Sequence, residues 1–281
     1  MAVLHLNYLS QALGLQTNVS VIIPAKPFVF PGQEAPKHQG KPKYQVLWLL
    51  HGGGGDDQDY VNFSNIVRYA DEHQVAVVMP SDQNAFYCDG YLPNGGNYFS
   101  FVTEELVKLC RSIFPFSKAR EDNFIAGLSM GSGGAMKCAV LHPELYGTAL
   151  IMSGGGMRLH RAEDAWAKDF LKKVIENEDV SSFPKVEEPK KDITMAVPMY
   201  YILKEKKETL PEFYFTCGGD DFLLSDVKLC LDFYKTMGLP LAYEEVPGYK
   251  HEWDFWDLSL KKAMNDWLPL KNSPIYPEEE A

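Results

Sequence analysis

The chain contains no long apolar run. Nowhere in its 281 residues does a segment approach the ~18 consecutive apolar residues of a membrane span. Its start, Met1-Ala2-Val3-Leu4-His5-Leu6, has neither a basic n-region nor a sustained apolar h-region, so no secretory leader is read there. Cysteine is scarce and lacks pattern. The five thiols (Cys88, Cys110, Cys138, Cys217, Cys230) are odd in number, scattered, and form no C-x-x-C. That is the usage of a reducing compartment, with thiols serving as small apolar residues, and cytoplasm is the expected location. Positive charge is also short: 27 Lys and Arg against 38 Asp and Glu leave a net charge of −11. Nucleic acid and anionic membrane are thereby disfavoured as partners, since both require clustered cations. Internal repeats and composition shifts are absent too, so residues 1–270 are expected to form one domain, followed by an acidic tail over 271–281.

What is present alternates. Val3–Leu9 and Val19–Ile23 read as an antiparallel edge pair with Gly14 between them. Pro24, Pro27, Pro31, Pro36 and Pro42 then punctuate a polar loop, because proline cannot donate to a ladder. Six further strand-like runs follow, at 44–50, 75–79, 123–126, 149–152, 212–216 and 241–246. Helical stretches are expected over 56–73, 99–114, 135–141, 162–175, 225–237 and 252–268. Residues 157–210 interrupt the alternation, with an apolar patch from Met195 to Leu203. Alternating strand and helix predicts an α/β fold: a mostly parallel sheet of eight strands, covered on both faces. Ligands of such sheets bind beyond the carboxyl ends of the strands, so the residues just after each strand carry the information.

After Asn123-Phe124-Ile125-Ala126 comes Gly127-Leu128-Ser129-Met130-Gly131, then a helix ended by His142-Pro143. A G-x-S-x-G between strand and helix is the pattern of a nucleophile elbow, a sharp turn in which side chains two residues either side of the serine would collide with their neighbours. Cys217-Gly218-Gly219-Asp220-Asp221 follows the strand 212–216, and Pro247-Gly248-Tyr249-Lys250-His251 follows the strand 241–246. The order Ser, Asp, His along one sheet edge is that of an α/β-hydrolase triad. A serine hydroxyl needs an imidazole to take its proton and a carboxylate to orient that imidazole. Among the seven histidines, His5 and His38 lie in the edge region, His73 and His142 at helix ends, and His160 in the irregular segment. His51 adjoins four glycines and reads as a prop for that loop. His251 alone follows a carboxylate loop. Spacing leaves Asp220 and Asp221 undivided.

His51-Gly52-Gly53-Gly54-Gly55 lacks the lysine and hydroxyl of a P-loop, and reads instead as an oxyanion hole of bare backbone N–H groups, with the N–H of Met130 as second donor. Asp56, Asp57 and Asp59 lack the glycine and distal glutamate of a calcium loop and read as a helix start, with Asp56 or Asp57 as N-cap. Cys217 reads as buried filler. The aromatics Tyr87, Tyr91, Tyr98, Phe99, Trp166, Tyr200 and Tyr201 read as core and cap packing in preference to a pocket lining.

The set His51-Gly52…Gly55-Asp56, Gly127-Leu-Ser-Met-Gly131, Cys217-Gly218…Asp221-Phe222-Leu223 and His251-Glu-Trp-Asp-Phe-Trp256 resembles the esterase D/S-formylglutathione hydrolase-like family of α/β-hydrolases, with bacterial tributyrin esterases as the nearest branch and feruloyl and acetylxylan esterases as relatives. The resemblance spans nearly the whole chain. It implies an α/β-hydrolase fold with a small cap-like insertion at 157–210, and Asp221, directly before Phe-Leu, as the triad carboxylate beside Ser129 and His251. It implies Gly53 and Met130 as oxyanion donors, and hydrolysis of short-chain acyl (acetyl to butyryl) or aryl esters with no metal or organic cofactor. The expected partner is a small-molecule ester; self-association is left open. Acyl transfer to a sugar or thiol, S-formylglutathione-type thioester hydrolysis, and a non-catalytic binding module are the alternatives. Ser132-Gly133-Gly134 departs from the family's usual Gly-Tyr-Gly and removes bulk near the acyl side.

Overall fold

The computed structural model describes residues 1–24, 42–93, 95–205 and 209–276. Its core is one eight-stranded sheet in the order β1-β2-β4-β3-β5-β6-β7-β8. The strands are β1 (Ala2–Ser10), β2 (Leu15–Ile23), β3 (Val46–Leu50), β4 (Ala76–Pro80), β5 (Asn123–Leu128), β6 (Thr148–Met152), β7 (Glu212–Gly218) and β8 (Leu241–Val246). From β4 through β8 every neighbour is parallel; β2 alone runs against the rest, pairing antiparallel with both β1 and β4. This is the mostly parallel eight-stranded sheet expected from the alternation, in the α/β-hydrolase arrangement that the family resemblance implies.

Strand residues alternate strictly between two apolar layers, as the two-residue repeat of a pleated strand requires. Val46, Trp48 and Leu50 join one layer with α4 (Leu106–Ile113), α5 (Met130–Leu141), α6 (Ala165–Ile175), α7 (Ala196–Glu205) and α8 (Leu224–Thr236). Leu47 and Leu49 join the other, with α1 (Asp59–Phe63), α2 (Ile66–Glu72) and α9 (Trp253–Lys262). Each fully buried aliphatic or aromatic side chain contributes about 1.5–3 kcal/mol, which is why the central strands are apolar on both faces.

Several elements depart from the sequence reading. The helix expected over 56–73 is two short helices. Ser64 is extended and its hydroxyl bonds back to the Tyr60 carbonyl at 2.6 Å, while Asp257 of α9 captures the Asn65 N–H at 2.7 Å. Neither Asp56 nor Asp57 is the N-cap. Gln58 holds that position, Asp56 bonds the Gln58 N–H, and Asp57 is buried, accepting the hydroxyls of Ser20 and Ser81. The helix leading from the 81–97 loop is α3 (Tyr98–Ser100), a π-helical turn over Phe101–Glu105, and α4. Met195–Leu203, read only as an apolar patch, lies almost wholly in α7. The proline-rich loop falls mostly outside the described residues. So does the end of the acidic tail, whose first part is tied down: Lys271 reaches Asp122 at 2.7 Å, and Ile275 pairs with Lys43.

The sheet order reverses at β3. The chain moves from β3 outward to β4, then returns to the other side of β3 as β5. The carboxyl ends of β3 and β5 therefore face a topological switch point, where side chains and loops diverge and leave a crevice.

Candidate active site

Ser129 directly follows β5 with φ +52° and ψ −116°, a conformation a serine adopts only under constraint, at roughly 1–3 kcal/mol. Its surroundings impose it. A side chain at Gly127 would meet the Gly131 carbonyl, and one at Gly131 would meet the carbonyls of Leu50 and His51, so strand, turn and helix close on one another only with glycine at both positions. The Ser129 N–H bonds the Met152 carbonyl at 3.0 Å, and its own carbonyl accepts the Ser132 N–H and hydroxyl. Helix α5 starts at Met130, immediately behind the serine.

The loops after β7 and β8 are zipped together by backbone bonds. Gly219 N–H reaches Val246 O at 2.8 Å, and Asp220 N–H reaches Tyr249 O at 2.9 Å. Gly218 permits this closeness, because a side chain there would strike the Tyr249 carbonyl. The result is a continuous chain. Ser129 Oγ lies 2.9 Å from His251 Nε2, and His251 Nδ1 lies 2.9 Å from Asp221 Oδ2 and 3.1 Å from Oδ1. With Asp221 as acceptor, Nδ1 carries the proton and Nε2 is free to accept from the serine hydroxyl. Asp220 is exposed, and only its backbone N–H enters this zipper.

Asp221 is buried, which alone would raise its pKa. Hydrogen bonds from His251, the Leu223 N–H and the Ser153 hydroxyl outweigh that and hold the carboxyl below the usual carboxylate range. Ser153, absent from the sequence-level site, has φ +47° and also accepts the Trp256 indole N–H at 2.9 Å. The sequence signal was its position directly after β6. Trp256 also meets the His251 ring edge-on at 5.0 Å, and Phe222, 69% exposed, covers that ring from outside at 4.7 Å.

Beyond β3, His51 is buried. Its Nε2 accepts the Asp82 N–H at 2.7 Å, which leaves the proton on Nδ1, donated to the Gly52 carbonyl at 2.7 Å. The Gly52 carbonyl and the Gly53 N–H belong to one rigid peptide plane, so this bond also fixes the direction of the Gly53 donor. Asn84 takes the Gly54 N–H and the Gly52 carbonyl takes the Gly55 N–H, while the Gly53 N–H has no acceptor among the described residues. Met130 N–H is the first of α5 and has no partner within the helix. A side chain at Gly52 would lie 3.5 Å from Ser129 Cβ, which places this loop over the serine.

A cleft of about 470 Å³, open to solvent, adjoins Ser129 and Met130. Phe86, Met157, Ile193 and Leu223 supply its apolar wall; Arg158 and Asp226 are its charged groups. Arg158 is bound to buried Asp164 at 2.7 Å and lies over the Phe86 ring at 5.2 Å. Gly133 borders the cleft with open space where a side chain would be, whereas a side chain at Gly134 would strike the Tyr87 ring. None of the seven aromatics weighed from sequence lines this cleft; Phe86 does. Cys217, beside the acid loop, is buried, and its thiol is pushed up by burial and by Asp221 and Glu245, so it stays an inert thiol. The described residues contain no cluster suited to a metal ion, and no helix among them is long and apolar enough to cross a membrane.

Comparison with known proteins agrees with this geometry. The model of the Esterase family matches residues 10–199. An acetyl esterase of Caldicellulosiruptor saccharolyticus is 30% identical over 277 residues, 95% of this chain and 98% of that protein. Among solved structures, the fluorophosphonate-binding serine hydrolase FphF of Staphylococcus aureus, substrate bound, superposes with a TM-score of 0.71 at 28% identity, over 94% of this chain and 96% of that one. The S-formylglutathione hydrolase FrmB of Staphylococcus aureus, as apoenzyme, gives a TM-score of 0.70 at 28% identity, over 94% and 97%.

Proposed function

The chain belongs to the Esterase family of α/β-hydrolases, and from that membership we propose that it is a serine carboxylesterase working through Ser129, His251 and Asp221 on short-chain acyl esters. The observation that carries this reading is the unbroken hydrogen-bond chain from Ser129 Oγ through both imidazole nitrogens to Asp221. Ser129 Oγ attacks the ester carbonyl carbon as its proton passes to His251 Nε2. Asp221, held ionised, stabilises the imidazolium and keeps its proton on Nδ1. The oxyanion falls to the N–H groups of Gly53 and Met130, the latter reinforced by the positive end of α5. The imidazolium then protonates the departing alcohol, and water, deprotonated by the same imidazole, releases the acid.

An apolar wall of Met157, Ile193 and Leu223 supports acetyl to butyryl groups, and the Phe86 ring supports an aryl ester as a further substrate. Met157, Arg158 and Ile193 come from residues 157–210, which supports that segment as a cap over the cleft. The likeness to FrmB favours one second reading, thioester hydrolysis at the same serine; comparing turnover of S-formylglutathione with that of p-nitrophenyl acetate decides between them. Five buried free thiols support the cytoplasm as location.

The test is direct. A fluorophosphonate probe is expected to label Ser129, and Ser129→Ala to lower kcat on p-nitrophenyl acetate by about 10⁴–10⁶. An unlabelled protein, or a variant that keeps its turnover, returns the chain to a binding role on a hydrolase scaffold.

A further inference from the structure

One buried pair takes no part in the chemistry above. Lys137 lies on α5, two turns behind the nucleophile, and is 1% exposed; Cys88, in the loop after β4, is 0% exposed. Lys137 Nζ is 2.5 Å from Cys88 Sγ, across 49 positions of chain. Sulfur is a weak acceptor, and an ordinary N–H···S contact is longer than this. The distance is that of two atoms joined through a single bridging oxygen.

The lysine has no better partner. Among the described residues Cys88 Sγ is its one hydrogen-bond acceptor. The carboxylates nearby are committed elsewhere: Asp82 to the N–H groups of Ala85 and Tyr87, Asp89 to Ser100 and Lys190, Asp192 to the N–H groups of Thr194 and Met195. A buried lysine head group with one soft acceptor is a costly arrangement, and this one has been placed end-on against a thiol.

We propose that Lys137 and Cys88 form a reversible, oxidation-dependent N–O–S cross-link, with a hydroperoxide as oxidant. One equivalent of hydrogen peroxide converts the Cys88 S–H to S–O–H and leaves as water. A second removes the sulfenic O–H hydrogen and one hydrogen of the Lys137 amine, joins that oxygen to Nζ, and leaves as two waters. The pair thus gains one oxygen and loses two hydrogens, a four-electron oxidation matched by two peroxides. The balance is the same whether the pair starts as thiol and amine or as thiolate and ammonium. Four equivalents of a thiol reverse it, giving back thiol and amine, one water and two disulfides.

The link has a route to the cleft. Cys88 Sγ also contacts the carbonyls of Phe86 at 3.3 Å and Asp192 at 3.6 Å, and Phe86 and Ile193 are wall residues of the cleft. Phe86 and Tyr87 both hold positive φ, +55° and +50°, so the loop carrying Cys88 is strained and responds to being pinned to α5. Closing a loop of this length also constrains the unfolded chain, as a disulfide does.

The experiment treats the intact protein with hydrogen peroxide and maps its peptides by tandem mass spectrometry. The expected product is a linked pair carrying Cys88 and Lys137 with one oxygen added and two hydrogens lost. It is absent from Cys88→Ser and Lys137→Met and is removed by dithiothreitol. Cys110, Cys138, Cys217 and Cys230, also buried, serve as internal controls and should show no such link. In the wild type alone, oxidation should raise Tm by several degrees and lower kcat/KM several-fold, both restored by thiol. Cys88 found as sulfinic acid with Lys137 free, or both unchanged at peroxide levels that oxidise exposed methionines, overturns the cross-link. A cross-link that leaves kcat/KM where it is in Cys88→Ser overturns its regulatory effect. The mass readout does not depend on the esterase reading, so failure of one is distinguishable from failure of the other.

Discussion

Two adjacent aspartates separate cleanly in the structure. Asp221 receives three hydrogen bonds and faces the imidazole; Asp220 gives its backbone N–H to Tyr249 and leaves its carboxylate to water. Asp221→Asn is therefore expected to lower kcat on the order of 10⁴, while Asp220→Asn stays close to wild type; steady-state kinetics on p-nitrophenyl acetate reads the ranking. The same residue has a pH signature. Its folded pKa is depressed, so the stability it contributes is present above its unfolded value of about 3.9 and is lost as pH falls through the folded one. Acid-unfolding curves of Asp221→Asn should lack that component, and those of Asp220→Asn should retain it. Order along the chain was enough to bring out Ser129, His251 and the Asp220–Asp221 pair, because each follows a strand recognisable by its apolar run. Dividing the two aspartates needed either the family resemblance or the backbone bond that turns Asp220 outward. Phe86 was not legible, and Ser153 was marked only by its place directly after a strand. The role of Ser153 depends on a positive φ and an indole from a helix a hundred residues on, and that of Phe86 on a strained loop that no periodicity marks.

Among elements, the strands were legible and the helices less so, for identifiable reasons. A buried parallel strand is a short run of apolar residues closed by a turn residue, and here glycine or proline soon after each run separates it from a helix. Helix α5 begins at Met130, five residues before its apolar stretch, because Gly131, Gly133 and Gly134 hide its first turns behind poor helix formers. The glycine at 131 is required by contact. Alanine in a helix interior is ordinarily better than glycine by about 0.8–1.0 kcal/mol, but here its methyl group would meet backbone carbonyls of Leu50 and His51 that cannot swing aside. Overpacking of that kind costs about 1–3 kcal/mol, so Gly131→Ala should lower the urea midpoint and kcat together. The break between α1 and α2 was hidden because its cause is tertiary. Asp257 binds the Asn65 N–H, the Asn65 amide and the Tyr69 hydroxyl, tying α2 to the helix that follows His251. Asp257→Ala should cost about 1 kcal/mol, the modest figure for partly solvated bonds, again read from the urea midpoint. Because none of these groups touches the triad, kcat should change far less than stability.

At the scale of the whole molecule, a long-range negative field meets a cleft whose own charges are paired. The chain carries a net charge of −11, so an anionic ester approaching from solvent is repelled at long range. Within the cleft stands Arg158, but its charge is balanced by Asp164, and Asp226 beside it is balanced by Lys168. The local charges thus cancel in pairs, while the distant ones do not. Salt discriminates between the two. The screening length falls from about 30 Å at 0.01 M to about 8 Å at 0.15 M, which removes the long-range repulsion and leaves contacts inside the cleft largely intact. With the reaction read as ester hydrolysis, kcat/KM for an anionic ester such as p-nitrophenyl hemisuccinate should rise over that range. For neutral p-nitrophenyl acetate it should stay level, since an uncharged substrate feels neither field. A fall for the hemisuccinate would mean that Arg158 dominates and that the cleft selects anionic acyl groups; Arg158→Met would then turn the slope positive. Under the charge balance found here, Arg158→Met should leave the slope for the hemisuccinate positive and steeper, because removing one cation from an acidic surface adds to the repulsion that salt relieves.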